Sequence, residues 1–460
     1  MIAVLASGGP RAVPAAQAPD GFDTEAAFVR WASSAARTLR TVEPNSDDSD
    51  MAPLCALVGH APIVALGEPG HGAHEPLAWR NRLFFYLATH CGFTAIAIET
   101  AFSESRAVHD FVLGGPGSAA EVSRRCLSWG FGEYAENAAL IQWMRNYNLR
   151  EAGRRKLQFY GIDLSGADND SGFPHGGITL VQVMDYLQRA APLESQNLRV
   201  ALEPLLQRVW AVGYARLARA HDSGLDIALG SLNAYLAHHA GALQRSSSTS
   251  EYDWAVRNLV VARRLSQLFA LNGGSLTADM GMGPDEYKEV NARDAAMADN
   301  VLWVKRQEGK VGRILVFAHN AHVMDGGLQG GIWAAFKQPP RMMGEHLRAA
   351  LGESLVIIGT SAAQSGAGLP AGMRLDNDVD DVLADVGPSL FVLDLRGAQA
   401  LDWMRETHSL RANFSSNLDI NLKHAFDALV FIRSVTPART NPESSRLNVH
   451  TDHETYRTWP

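Results

Sequence analysis

Seven short apolar runs in this 460-residue chain do not alternate polar with apolar residues: Ile63–Leu66, Ala95–Ile98, Leu157–Ile162, Ile314–Phe317, Leu355–Ile358, Leu390–Leu393 and Leu429–Ile432. A strand with one wet face alternates with a period of two. Unbroken runs of this length therefore describe strands covered on both faces, as in a mostly parallel sheet. Helical patterns fill the intervals. The segment "EPLAWRNRLFFYLATHCGF" opens with acid and proline and reaches Gly92, a suitable C-cap. The alternation predicts an α/β fold, an open and mostly parallel sheet flanked by helices.

One segment departs from that rhythm. From Gly177 to Gln307 the pattern is helical with almost no strand signal, as in "LVQVMDYLQRAA" and "AVRNLVVARRLSQLFAL". It reads as a large all-helical insertion packed beside the sheet and covering its pocket. The expected organisation is a leader and first helix over 1–50, an α/β catalytic domain over 51–176 and 308–436, the insertion over 177–307, and a polar C-terminal tail over 437–460. Within the insertion, "RSSSTSE" is a solvated turn. The glycine-rich stretch Asn272–Glu286, with two methionines, is either a lid or binding loop or a plain connector.

Composition removes several function classes. The net charge is −8 with no basic block, so nothing electrostatic argues for a nucleic-acid partner. No apolar run reaches the length of a membrane span. The three cysteines, Cys55, Cys91 and Cys126, are odd in number and lack a Cys-x-x-Cys pair, so neither a disulfide framework nor a cysteine zinc site is expected. The opening "MIAVLASGGPRAVPAAQAPD" has no leading positive charge but carries "AQA" before Pro19. A cytoplasmic location is expected, with a secretory signal over residues 1–18 as the alternative. Oligomeric state is left open.

Ligands of open α/β sheets gather at the carboxyl ends of the strands. Those ends are unusually polar here. The first run ends in "GEPGHGAHEP", with Glu68 and His71; "AIAIET" delivers Glu99; "FYGID" delivers Asp163; "ILVFAHNAH" delivers His319 and His322. Singly, each histidine reads as a satisfied structural residue and each acid as a helix cap. Convergence of four strand ends on one edge favours a reactive site. Arg80 adds to this. It falls inside the apolar arc formed by Leu77, Leu83, Phe84 and Leu87, where a guanidinium needs a carboxylate partner, and Glu68 and Glu99 are the expected ones. Arg293 shares a face with Met297, Asn300 and Val304 and reads as a structural bridge to the same carboxylates. His74 and Asp163 are assigned to substrate binding.

No Gly-x-Ser-x-Gly elbow, His-Glu-x-x-His helix, Walker loop or dinucleotide fingerprint occurs. Histidine, glutamate and arginine suit general acid–base activation of water with charge stabilisation by a cation. His71 would take the proton of an attacking water, and Glu68 or Glu99 would orient its ring. The scheme requires no cofactor. The same set, His71, His319, His322 and a carboxylate, also suits zinc, so a divalent metal stays open.

"LGEPGHGAHEP", "GFTAIAIET", "WMRNYN", "FYGID", "NARDAAMADN", "FAHNAHV" and "MMGEHLR" follow one another in an order that resembles the erythromycin esterase family, which includes proteins associated with succinoglycan biosynthesis. The resemblance runs from about Ile63 to Ile432. It implies an α/β sheet with a helical insertion, and hydrolysis of macrolide lactones without a serine nucleophile. By motif it assigns the catalytic set to Glu68, His71, Arg80, Glu99, His319 and His322, with His71 as general base. The family turn reads Gly-Glu-x-Thr-His-Gly, whereas Pro69 and Gly70 precede His71 here. The implied partner is a small molecule, a bulky and partly apolar ester, lactone or polyketide. The residues alone leave two other readings: a non-hydrolytic elimination or cyclisation in natural-product biosynthesis, and a metal- or small-molecule-binding module without turnover.

Overall fold

A computed structural model describes residues 21–150, 153, 155–164, 177–212, 214–271, 283–366, 378–397, 401–413 and 416–442. Its ten strands are β1 (Arg37–Thr38), β2 (Ile63–Glu68), β3 (Ala95–Ala101), β4 (Gln158–Asp163), β5 (Ile314–His319), β6 (Leu355–Ser365), β7 (Leu390–Asp394), β8 (Thr407–Ala412), β9 (Ser416–Asn421) and β10 (Ala428–Val435). Eight form one sheet in the order β1-β7-β10-β6-β2-β5-β3-β4, and β8 pairs with β9 in a separate hairpin. Each of the seven apolar runs falls on a strand of the large sheet, with Leu157 just before β4. Six of these strands run parallel. β7 runs antiparallel to β10, and β1 antiparallel to β7.

The absence of alternation has the expected cause. β2, β3 and β5 are buried at every position. Their side chains feed two apolar layers, one on each face. Ile63, Ala65, Ala97 and Val316 enter one layer, and Val64, Leu66, Ile96 and Leu315 enter the other. The helix His74–His90 is buried on nearly all sides. Gly92, at a φ of 74°, turns the chain just beyond it. Arg82 on this helix is buried as well, bonded to Asp50 and to the Thr41 and Asp47 carbonyls. Between β4 and β5 every described element is a helix: Gly177–Ala190, Gln196–Val212, Tyr214–Arg219, Ser223–Ser246, Thr249–Ala270 and Tyr287–Glu308. The suggested lid falls mostly at 272–282, and the candidate signal and most of the polar tail at 1–18 and 443–460; these lie outside the described residues. Among the described residues no helix is long and apolar enough to cross a membrane.

Three neighbouring strands, β6, β2 and β5, are locked together in the middle of the sheet. The Asn320 side chain donates to the Thr360 carbonyl (2.6 Å) and accepts from the Thr360 N–H (3.1 Å), and the Thr360 hydroxyl donates to the Gly67 carbonyl (2.6 Å). Only glycine fits at position 67, since a Cβ there would lie 2.2 Å from the Asn320 amide oxygen. The register then sets Glu68 beside His319.

The cysteine expectation needs correction. Cys55, on the helix Ala52–Val58, is joined by a disulfide to Cys91, just past the helix His74–His90, with Cα atoms 5.6 Å apart; Cys126 is free and buried. A separation of 36 residues carries no spacing signature, so only packing reveals the pair. Arg313 staples the same corner by donating to the Ala61, Cys91 and Gly59 carbonyls. Thiol counting of the denatured, unreduced protein is expected to find one reactive cysteine. Reduction is expected to lower unfolding free energy by about 4 kcal/mol, the loop-closure value for a loop of this size.

Candidate active site

The carboxyl ends of β2, β5, β3 and β4 deliver Glu68, His319, Glu99 and Asp163 along one edge of the sheet. The chain passes from β2 to β3 and returns later to insert β5 between them, so this edge lies at a reversal of strand order, where crevices form. A cleft of about 710 Å³ opens there, lined by His71, Glu289, Val290, Arg293, His319, Ala321, His322, Leu328, Trp333, Met342 and Asn413.

His71 sits in the turn after β2. Its Nδ1 is 2.7 Å from Glu68 Oε1, its side chain is 30% exposed, and its ring lies 5.3 Å from that of His319 and 5.0 Å from that of Phe131. With Nδ1–H donating to the carboxylate, the Nε2 lone pair is left for the cleft. Burial works against a charged ring, but the hydrogen bond to Glu68 and the charges of Glu68 and Glu99 outweigh it and raise the His71 pKa above 6.5. The turn is pinned from the β8–β9 hairpin. Asn413, at a positive φ of 50°, donates its N–H to the Pro69 carbonyl (2.9 Å) and accepts the His71 N–H on its side chain (3.4 Å). The glycine at positive φ in this turn is Gly72 rather than Gly70, and a Cβ there would meet the Tyr134 hydroxyl at 3.0 Å.

Glu99 is the hub of the site. One oxygen accepts the His319 backbone N–H (2.8 Å); the other lies 3.2 Å from His322 Nε2 and 3.2 Å from Arg293. Burial alone would raise its pKa, yet the charges of His322, His71 and Arg293 hold it well below the usual carboxylate range. His322 Nδ1 meets Asp294 at 2.8 Å. Only the imidazolium can donate from both nitrogens, and against its burial Asp294 and Glu99 push its pKa up to about 10. Asp294 also accepts the Met343 N–H (2.9 Å). His319 is the opposite case. Its Nδ1 accepts the Ala321 N–H (3.1 Å), Nε2 is buried near the Pro69 carbonyl without a well-formed hydrogen bond, and burial beside His71 lowers its pKa to about 3. The cleft thus holds one charged imidazole, one neutral imidazole that presents an N–H, and one imidazole poised between the two states.

Arg293 is a bridge, but between Asp163 (2.5 Å) and Glu99 (3.2 Å) rather than Glu68 and Glu99, and it stacks over Trp129, whose indole N–H also donates to Asp163 (2.9 Å). It lines the cleft as well. Asp163 is fully buried behind it. Two expected placements are corrected. Arg80 pairs with neither Glu68 nor Glu99. Its guanidinium donates to the Asn81 side chain (2.8 Å), lies 4.8 Å from the Phe317 ring, and faces a small hollow shared with Glu68, Glu99 and Tyr134, behind the cleft rather than in it. Burial without a paired carboxylate lowers its pKa to about 10. His74 opens the next helix on the far side of the turn, where it is clamped by Glu136 (2.6 Å) and Glu43 (3.0 Å) away from the cleft. Nor are the three histidines gathered as metal donors: each His322 nitrogen faces a carboxylate, and among the described residues no three His, Cys, Asp or Glu side chains form a metal-holding group.

Sequence reading missed Asp294, Asn413 and Trp129. Asp294 had the clearest signal, an acid beside Arg293 on a helix already marked as abnormal. Replacing Asp294 by Asn leaves a buried imidazolium with one partner removed. It is expected to destabilise the fold by about 3–5 kcal/mol. It should also bring the ring nitrogens of His322 into titration at lower pH, read by ¹⁵N-histidine NMR.

The comparisons with known proteins agree with this architecture. The family model for erythromycin esterase matches residues 88–435. Erythromycin esterase type II of Escherichia coli is 23% identical over 76% of this chain and 82% of its own length. Type I from the same organism is 24% identical over 86% and 97%. A Bacillus cereus protein of known structure superposes with a TM-score of 0.75 at 22% identity, covering 90% of this chain and 98% of its own. A succinoglycan biosynthesis protein gives 0.73 at 22% identity over 91% and 100%. A mutant of the erythromycin esterase EreC in its open conformation gives 0.62 at 20% identity over 88% and 98%. With a family match over most of its length, the chain belongs to the erythromycin esterase family.

Proposed function

We propose that this protein is a serine-independent hydrolase that opens a carboxylic ester or lactone of a bulky, partly apolar small molecule, with water activated by His71. The observation that carries the reading is the state of His71: Nδ1 is held by Glu68, and the ring stands at the cleft beside that of His319. Family membership supports ester hydrolysis as the reaction class. Among the described residues lining the cleft there is no Ser, Thr or Cys, which favours water over a covalent nucleophile.

In this scheme His71 Nε2 takes a proton from water as the oxygen attacks the acyl carbon. Glu68 keeps the ring in the required tautomer and stabilises the imidazolium that forms. Negative charge grows on the carbonyl oxygen, where the His319 Nε2–H and the Arg293 guanidinium supply donors. His71 then returns its proton to the leaving alkoxide. Glu99, with His322 and Asp294 behind it, positions His319 and Arg293. The Cys55–Cys91 disulfide supports an oxidising compartment as the place of action.

Replacing His71 by Ala is expected to lower kcat/KM by about 10²–10⁴-fold, the range for a general base, with the circular dichroism spectrum unchanged. Retained turnover removes the mechanism. Because the charged form must lose its proton to act, kcat/KM should rise with pH along a limb whose midpoint lies above 6.5. Turnover in H₂¹⁸O should place one labelled oxygen in the carboxylate product. A product without label, or without added water, would turn the reading toward elimination or cyclisation.

A further inference from the structure

The β8–β9 hairpin lies outside the main sheet, yet it reaches the turn that carries His71. Its anchor is a cluster of buried charge. Arg411, near the end of β8, has a side chain only 6% exposed and meets three acids. Its Nε donates to Asp378 (3.0 Å), a terminal nitrogen donates to Asp381 (3.0 Å), and its backbone N–H donates to Asp380 (2.9 Å). The other terminal nitrogen donates to the Ala363 carbonyl of β6. Asp378 caps the helix Val379–Ala384, and Asp380 in its first turn accepts the Ser361 hydroxyl (2.5 Å) and the Ala362 N–H (3.0 Å), both also on β6. One cluster thus fastens the end of β8 to a strand of the large sheet. Burial of so many charges contributes little net stability. What it supplies here is a fixed point from which the chain continues toward the cleft.

Two residues further on, Asn413 turns away from the strand at a φ of 50°. Its N–H donates to the Pro69 carbonyl (2.9 Å), and its side chain accepts the His71 N–H (3.4 Å). The Pro69 carbonyl also stands near the His319 ring. Beyond His71, the Gly72 carbonyl accepts the Ala438 N–H (2.8 Å). Asn413 therefore holds the backbone at 69–71, from which the His71 ring leaves to meet Glu68. We infer that Asn413 is a positioning residue for His71, and that the cluster of Arg411, Asp378 and Asp380 keeps Asn413 at the turn. The inference rests on the hydrolase reading for what His71 does in turnover, and on these hydrogen bonds for the geometry. A shift of about 1 Å in this turn would loosen the contact between His71 Nδ1 and Glu68, and a misplacement of that size costs roughly a hundredfold in rate.

The test compares Asn413→Gly with Asn413→Asp. Glycine keeps the positive φ and the N–H to Pro69 but removes the acceptor for His71. Aspartate keeps the acceptor and tolerates the same φ. With p-nitrophenyl butyrate as probe, Asn413→Gly should lower kcat about ten- to a hundredfold with KM unchanged. It should also move the midpoint of the kcat/KM limb down toward 6.5, because the Glu68 hydrogen bond that raises the His71 pKa is loosened. Asn413→Asp should restore kcat above a midpoint that its added charge moves up. In the double variant Asp378→Asn/Asn413→Gly, kcat should fall no further than in Asn413→Gly alone, since the cluster acts through Asn413. A further fall overturns the link between the cluster and Asn413. An unchanged kcat and midpoint in Asn413→Gly, with the circular dichroism spectrum intact, overturns the positioning role and leaves hydrolysis by His71 standing. Should Asn413→Gly not fold, Asp378→Asn carries the same two readings with the same meaning. If wild type does not hydrolyse the probe, ¹⁵N-histidine NMR decides. A His71 pKa moved toward 6.5 by Asn413→Gly sustains the positioning role without the hydrolase reading, and an unmoved pKa overturns it.

Discussion

The site depends on one buried carboxylate. Glu99 sits at the end of an inner strand with almost no access to water, and four neighbours answer its charge: the His319 backbone N–H, the His322 ring, the Arg293 guanidinium and, at longer range, His71. Two of those neighbours are cations that are themselves buried and need further acids, which Asp163 and Asp294 provide. The result is a network of three carboxyl groups and two cations reaching from β3 and β4 through β5 to the helix Tyr287–Glu308. No member can be removed without stranding a charge in a low-dielectric interior. Such a network adds little net stability for the burial it demands. Its value lies in fixing geometry, because each side chain has one arrangement that satisfies its neighbours.

The same network sets three histidines to three different tasks. His322 is enclosed by carboxylates on both nitrogens and stays charged. His319 is close to His71 and accepts a backbone N–H, so it stays neutral and presents its remaining N–H. His71 is partly exposed, with one carboxylate in contact and another nearby, and its proton affinity is moderately raised. Identical side chains therefore diverge through hydrogen-bond partners and burial alone, which is how a set of like groups comes to differ in charge.

Legibility in the sequence followed burial. The seven central runs could be read because both faces of those strands are covered, which erases the alternating pattern. The strand-end residues could be read because polar groups directly after such runs are rare. What escaped lacked a side-chain signal. β1 is two exposed residues, and β8 and β9 mix polar with apolar in a hairpin away from the main sheet. β7 runs backwards, and strand direction leaves no trace in residue type when both faces are buried. His74 is three residues from His71, but the turn at Gly72 sends its side chain toward Glu136, so closeness in sequence misled. Arg80 was rightly marked as buried, but a buried guanidinium can rest on an aromatic ring and a neighbouring amide instead of a carboxylate. Asp294 lies one residue off the helical face that Arg293 defines, and only its hydrogen bond to His322 makes it part of the site.

The cleft draws its walls from two kinds of structure. The histidines and carboxylates of the site stand near strands locked together by Asn320, Thr360 and Gly67, where a small displacement would break several buried hydrogen bonds at once. The remaining lining comes from the last helix of the insertion, which contributes Glu289 and Val290, and from loops that contribute Leu328, Trp333, Met342 and Asn413. Loops and insertions tolerate change that a buried sheet end does not. A chain built this way can keep one arrangement of strand-end residues while the opposite wall adapts to different molecules, and sequence identity of 20–24% to erythromycin esterases is compatible with that division. The residues that bear on substrate identity are thus those on the helical and loop wall, and they are the ones the strand-end pattern could not reveal.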